Sequence, residues 1–169
     1  MSLPLDILIS RLRNELAICS RYLRHPIDLS DENLRSFPID IEIELKGVPG
    51  FVYENGRIEK RYEHRFSILI GRDYPFEKPL VIWRTPIFHP NIMMPEDGGH
   101  LCTKLLDEWG FNSTLLSFIK GIEALLLAPN PSSPFGTESC TSAASYFNRA
   151  KVKTPPIVYS PTPKVVRAD

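Results

Sequence analysis

Near the start of the chain, apolar residues recur at Leu5, Leu8, Ile9, Leu12, Leu16, Cys19 and Leu23, a helical spacing that His25-Pro26 stops. Ser2 and Pro4 suit a helix start, so an amphipathic helix is predicted, with Arg11, Arg13, Arg21 and Arg24 set against Asp6 and Glu15 on its surface. From Ile39 the period drops to two. Ile39, Ile41, Ile43 and Leu45 alternate with Asp40, Glu42, Glu44 and Lys46, as on a strand with one buried and one wet face, and Gly47 with Pro49-Gly50 is expected to end it. Phe51-Val52-Tyr53 and Ile58 flank Asn55-Gly56, a hairpin turn of residues that tolerate positive φ. Tyr62, His64, Phe66, Ile68 and Ile70 alternate again, and a further strand over 79–84 opens on a proline. His64 falls on the apolar side and reads as a core histidine.

Short connections between three or four strands imply an antiparallel meander. Between the second and third strands lies Tyr74-Pro75-Phe76-Glu77-Lys78-Pro79, with Phe76 either buried under its loop, the state expected, or displayed. After residue 110 the period is helical once more. Asn112, Ser113 and Thr114 are candidate caps for Leu115, Leu116, Phe118, Ile119, Ile122 and Leu125 to Leu127, a helix apolar enough to need cover on most sides. Pro129-Asn130-Pro131 ends it. A second helical stretch over 138–149 has Ala143, Ala144 and Phe147 as its inner face, and from Thr154 four prolines without apolar period mark a tail. The fold class is α+β: an N-terminal helix, a three- to four-stranded antiparallel meander, a long crossing loop, a buried central helix and a short C-terminal helix.

The 169 residues fit one domain plus that tail, and a formal net charge of +0 gives no global field toward nucleic acid or a membrane surface. Three unpaired-looking cysteines, Cys19, Cys102 and Cys140, suit a reducing compartment, and no apolar run approaches the roughly 20 residues that span a bilayer. MSLPLDILISRLRNEL lacks the layout of a signal peptide, so a cytoplasmic, monomeric protein is expected.

Candidate chemistry gathers at His89-Pro90-Asn91 and Cys102. Cys102 follows the polar loop 95–100, where a thiol could be reached, whereas Cys19 and Cys140 sit at apolar helical positions. His89 or His100 could act as the base of a cysteine hydrolase, but neither local sequence has a protease signature. His89, His100 and Cys102 supply only three of the four ligands a structural zinc wants, so no metal is expected. An ordinary turn beside a buried thiol remains open.

Tyr74-Pro75-Phe76-Glu77-Lys78-Pro79, Pro86-Ile87-Phe88-His89-Pro90-Asn91, Leu101-Cys102, Trp109 and Pro129-Asn130-Pro131 with Pro134 resemble, in order, the landmarks of the ubiquitin-conjugating enzymes. The resemblance spans roughly Leu3 to Phe147. It implies a catalytic domain over 1–150 and a proline-rich tail over 151–169, in the fold of that family. It further implies that Cys102 takes ubiquitin, or a ubiquitin-like protein, from an activating enzyme as a thioester and passes it to a substrate lysine with a RING-type ligase. No cofactor is implied, because ATP is consumed upstream. Asn91 matches the family asparagine that either donates to the oxyanion or ties down the loop; His89 and Pro90 shape the turn. Ser133 falls where an acidic residue often faces the incoming lysine. Pro75, Phe76, Gly110 and Phe111 match the two ligase-binding loops, and Arg11 and Arg13 the helix that meets the activating enzyme. The pattern departs from the family in Phe111, in Thr103-Lys104, in a loop about three residues longer before Cys102, and in its reduced C-terminal helices. The alternative is a non-catalytic adaptor of the same fold that binds ubiquitin or other proteins.

Overall fold

The computed structural model describes residues 1–101 and 107–150; Cys102, Thr103-Lys104 and the proline-rich tail lie outside the described residues. Helix α1 covers Leu5–Ile18 and buries Leu8, Ile9, Leu12 and Leu16. It stops one turn earlier than the apolar spacing predicts. Cys19 caps it, a 3-10 turn follows at Ser20–Tyr22, and Leu23 then pairs with Ile43 as an isolated bridge. Cys19 is still buried and Leu23 packs against the core, so these apolar positions persist without a helix to carry them. Ser2 plays no capping part: the N-cap is Pro4, with no side-chain bond. A short helix α2, Asp31–Leu34, went unpredicted; the Ser30 hydroxyl accepts from the Asn33 amide, and Leu34 is driven into the core.

Three strands form one antiparallel sheet in the order β1-β2-β3: β1 Ile39–Glu54, β2 Arg57–Ile70 and β3 Leu80–Trp83. The first is longer than expected. Gly47 and Pro49 do not end it, because the register jumps between Lys46 and Gly50, setting Gly47, Val48 and Pro49 opposite one residue. A bulge needs no ladder amide from proline, and Gly47 supplies a φ of 76° there. Asn55 and Gly56, at φ 53° and 74°, make the tight turn their sequence predicts. The third strand starts after Pro79, and there is no fourth among the described residues.

Ile39, Ile41, Ile43 and Leu45 of β1 and Phe66, Ile68 and Ile70 of β2 face inward, where α1 and α3 (Leu115–Leu127) cover them. His64 lies among them, as its place on the strand predicts. Its Nε2 lies 2.9 Å from the Val48 carbonyl oxygen and 3.1 Å from that of Arg61. Of the candidate caps of α3, Thr114 is used, in a reciprocal pair with Ser117. Helix α4, Glu138–Ala150, places Ala143 and Phe147 on Phe88, with Phe51, Ile58 and Tyr146 around them.

The crossing loop returns on itself. His89 bridges Ile92, Ile92 bridges Leu101, and the Met93 amide donates to the His100 carbonyl at 2.8 Å. Within the loop Pro95–Asp97 form a 3-10 turn, after which the Gly99 carbonyl accepts from the Trp83 amide at 2.8 Å. Gly99 has φ +66°, and a Cβ there would lie 2.6 Å from the Trp83 oxygen, so glycine is required. The loop is thereby fixed to β3.

Candidate active site

The turn ahead of Cys102 is built from buried polar groups. His89 is 2% exposed; its Nε2–H donates to the Leu125 carbonyl at 2.8 Å, and its Nδ1 accepts from the Asn91 amide at 3.0 Å. Both ring nitrogens are engaged, so His89 has none to offer a thiol or a metal. Asn91, also 2% exposed, directs Nδ2 at the carbonyls of Asn130 and Ser133, each at 3.1 Å, while its Oδ1 accepts from the Asn130 amide at 2.7 Å. The Pro90 carbonyl accepts from the Phe135 amide at 3.0 Å. Four hydrogen bonds thus fasten this turn to the loop after α3, and the asparagine side chain makes three of them. Ser133, half-buried, takes part through its backbone oxygen. The neighbouring Cys140 thiol donates weakly to the Ile92 carbonyl at 3.5 Å.

Burial lowers the pKa of His89 to about 4, against the raising effect of its carbonyl partners, and lowers that of His64 as well. Neutral imidazole therefore persists in the folded chain where the unfolded chain would bind a proton. Between pH 6.5 and about 4 the unfolded state holds more protons, so stability falls as pH falls through that window. The His89 contribution is on the order of 3 kcal/mol. Urea unfolding at pH 7 and pH 5 will show a steeper loss for the wild type than for His89→Gln, which keeps a donor but does not titrate. Parallel profiles would rule this out.

The two loops predicted to meet a ligase are brought together. Phe76, expected to be buried, is instead 37% exposed, because the Tyr74 ring fills the space beneath the loop and Pro75 is buried beside it. Its ring centroid lies 5.4 Å from that of Phe111, itself 49% exposed. Trp109 joins the loops from below by donating Nε1–H to the Pro75 carbonyl at 2.7 Å. Gly110 is exposed, its amide and carbonyl both bonded to Ser113.

Arg11 and Arg13, by contrast, are bound within the chain. Arg13 donates to the Leu29 carbonyl at 3.1 Å and pairs with Asp31. Arg11 donates to Glu15 at 2.7 Å and to the Ser113 carbonyl at 2.6 Å, with its guanidinium 5.2 Å from the Phe111 ring centre. Sequence reasoning missed Glu15, which is 8% exposed and not a surface charge. Its spacing held the signal: positions 8, 12, 15 and 19 lie on one helical face, and the other three are apolar.

Among the described residues, no group of three or more His, Cys, Asp or Glu could hold a metal ion, and no helix is long and apolar enough to cross a membrane. A groove of about 850 Å³ between residues 23–38 and the outer sheet face contains none of the predicted site residues.

A family model described as ubiquitin-conjugating enzyme matches residues 11–153. The human ubiquitin-conjugating enzyme E2 K is 35% identical over 109 residues, 64% of this chain and 48% of that protein. Ubiquitin-conjugating enzyme E2 13 of Saccharomyces cerevisiae is 33% identical over 124 residues, 73% of this chain and 72% of that protein. The E2 domain of a Toxoplasma gondii ubiquitin conjugating enzyme has a similar structure, with a TM-score of 0.59 at 25% identity, covering 85% of this chain and 88% of that one. The chain spans about half the length of the human protein it matches. With the family model reaching across the helix, the sheet, the fastened turn and the paired loops, the chain belongs to the ubiquitin-conjugating enzyme family.

Proposed function

We propose that the chain is an acyl carrier for ubiquitin or a ubiquitin-like protein, with Cys102 as the carrier thiol. The Cys102 thiolate attacks the thioester carbonyl presented by the activating enzyme, whose own thiolate leaves. A substrate lysine amine then attacks the new thioester, the carbon–sulfur bond breaks, and the amine loses its proton to water as the amide forms. No resident cofactor is required, since the acyl group arrives activated by ATP consumed upstream. A RING-type ligase meets Phe76 and Phe111 across Pro75 and Gly110.

The observation that carries this reading is the Asn91 clamp, which rigidly sets the turn and the strand-like return leading to Leu101, one residue before Cys102. A preset loop suits a reaction whose barrier lies in positioning two large partners. Asn91 acts as a brace in this arrangement, because an oxyanion could take one of its amide hydrogens only by displacing a carbonyl. His89 and Pro90 hold the turn. Ser133 joins the clamp through its backbone oxygen, and its hydroxyl is too weakly basic to deprotonate lysine, so desolvation and placement carry that step.

Incubation with an activating enzyme, ATP and ubiquitin, or in parallel arms ubiquitin-like proteins, will give a one-to-one adduct that a reductant removes. Cys102→Ser will give an adduct that resists it. Absence of an adduct with every modifier would overturn the carrier role and return the chain to the adaptor alternative.

A further inference from the structure

We propose that Glu15 is a positioning residue for ligase-stimulated transfer, one carboxylate that fastens both ligase-facing loops and the head of α3 to α1. The inference rests on the carrier reading above and adds to it a residue outside the thiol, its loop and the docking surface.

Three elements converge on this buried carboxylate. Oε1 accepts from the Tyr74 hydroxyl at 2.7 Å and from the Leu115 amide at 2.6 Å, and Oε2 accepts from Arg11 Nε at 2.7 Å. Tyr74 precedes Pro75-Phe76 in the first loop. Leu115 is the first residue of α3, where the helix dipole favours a negative charge. Arg11 extends the connection, since its other arm reaches the Ser113 carbonyl and its face lies against Tyr74 and Phe111. The Tyr74 phenol is pushed upward by burial and by Glu15, which keeps it a donor. Phe76 and Phe111, 61 and 96 positions from Glu15 in sequence, are thus both tied to α1 through one carboxylate, beside the Trp109–Pro75 bond that joins the two loops directly.

An ionised carboxylate suits this task because it accepts without donating. Glu15→Gln preserves shape and can still accept at Oε1, but it turns an N–H toward Arg11 Nε–H. That contact breaks, and the guanidinium, left with the Ser113 carbonyl alone, holds the Phe111 loop to α1 less firmly.

The test uses the full chain charged with ubiquitin, free lysine as acceptor, and a RING domain chosen from a panel because it accelerates discharge of the wild type at least tenfold. In Glu15→Gln, ligase-stimulated discharge is expected to fall about tenfold through a higher KM for the RING domain, while discharge without it stays within twofold. Trp109 emission, which reports the packing between Pro75 and Phe118 and is isolated as the difference from a Trp109→Phe chain because Trp83 also emits, will shift in the uncharged protein. On a Phe111→Ala background the Glu15 substitution will add little, the non-additivity expected of residues acting through one contact. If Glu15→Gln does not fold, Tyr74→Phe removes one of the three donors and will show the same selective change at smaller size. Equal loss of stimulated and unstimulated discharge, or additive effects in the double variant, would overturn the role. A wild-type chain that never charges would overturn the carrier reading itself; one that charges, with a variant that answers the RING domain like the wild type, would overturn the Glu15 role alone.

Discussion

Cys102→Ala will reduce modifier loading to background, whereas Cys19→Ala and Cys140→Ala, singly or together, will leave it within about twofold of the wild type. The difference follows from the environments of the other two thiols. Both are fully buried. Burial and the Glu15 carboxylate raise the pKa of Cys19 to about 11, and burial raises that of Cys140. At pH 8 a thiol of that pKa is ionised on the order of one part in 1,000, and it must also be reachable to attack. Cys19 meets neither condition, and Cys140, shifted in the same direction, is out of reach, which leaves Cys102 as the expected nucleophile. Non-reducing gels of the wild type and the four variants, with intact mass before and after reductant, measure the loading. Native alkylation should modify one thiol per chain quickly. A wild-type adduct on Cys102→Ala would sink the assignment.

Asn91→Ala will cost about 2 to 4 kcal/mol of stability and slow lysine discharge roughly 10- to 100-fold. The amide of Asn130 and the carbonyls of Asn130 and Ser133 all lose their partner together. Water reaches the Asn130 side of that contact, which holds the cost below three full desolvation penalties. Asn91→Asp is the sharper test: it keeps the acceptor for the Asn130 amide but faces two carbonyls with a carboxylate oxygen, so it should be no better than alanine. Urea midpoints and single-turnover discharge of the charged proteins measure the two effects. Were discharge to fall with the midpoint unchanged, Asn91 would act on the oxyanion instead of bracing the loop.

What the sequence reveals here depends on whether a signal is local. The alternation of Ile39 to Leu45 against Asp40 to Lys46, and the positive-φ pair Asn55-Gly56, determine their structure with little outside help, and both were legible. Pro49 was misleading because its meaning depends on the partner strand: within a bulge it interrupts nothing. Leu23 kept the helical period yet became a bridge residue, since burial can be satisfied by either conformation. At the candidate site, the His89-Pro90-Asn91 landmark was plain, but the direction of each Asn91 hydrogen bond required Asn130 and Ser133, about 40 residues away. Phe76 was expected to be buried because nothing in its loop shows that Tyr74 occupies the space first. Glu15 was discounted as a surface charge although its heptad position was already apolar.

The bond between the crossing loop and β3 also bears on how this chain meets others. A three-stranded sheet leaves two outer strands whose free amides and carbonyls invite a further strand. Here Gly99 occupies the Trp83 amide on one side; on the other, Arg24 and Phe88 donate to the Glu42 and Phe51 carbonyls. Irregular segments thus take part of each margin, which works against β-augmentation there and favours partners that engage side-chain surfaces such as the Phe76–Phe111 pair.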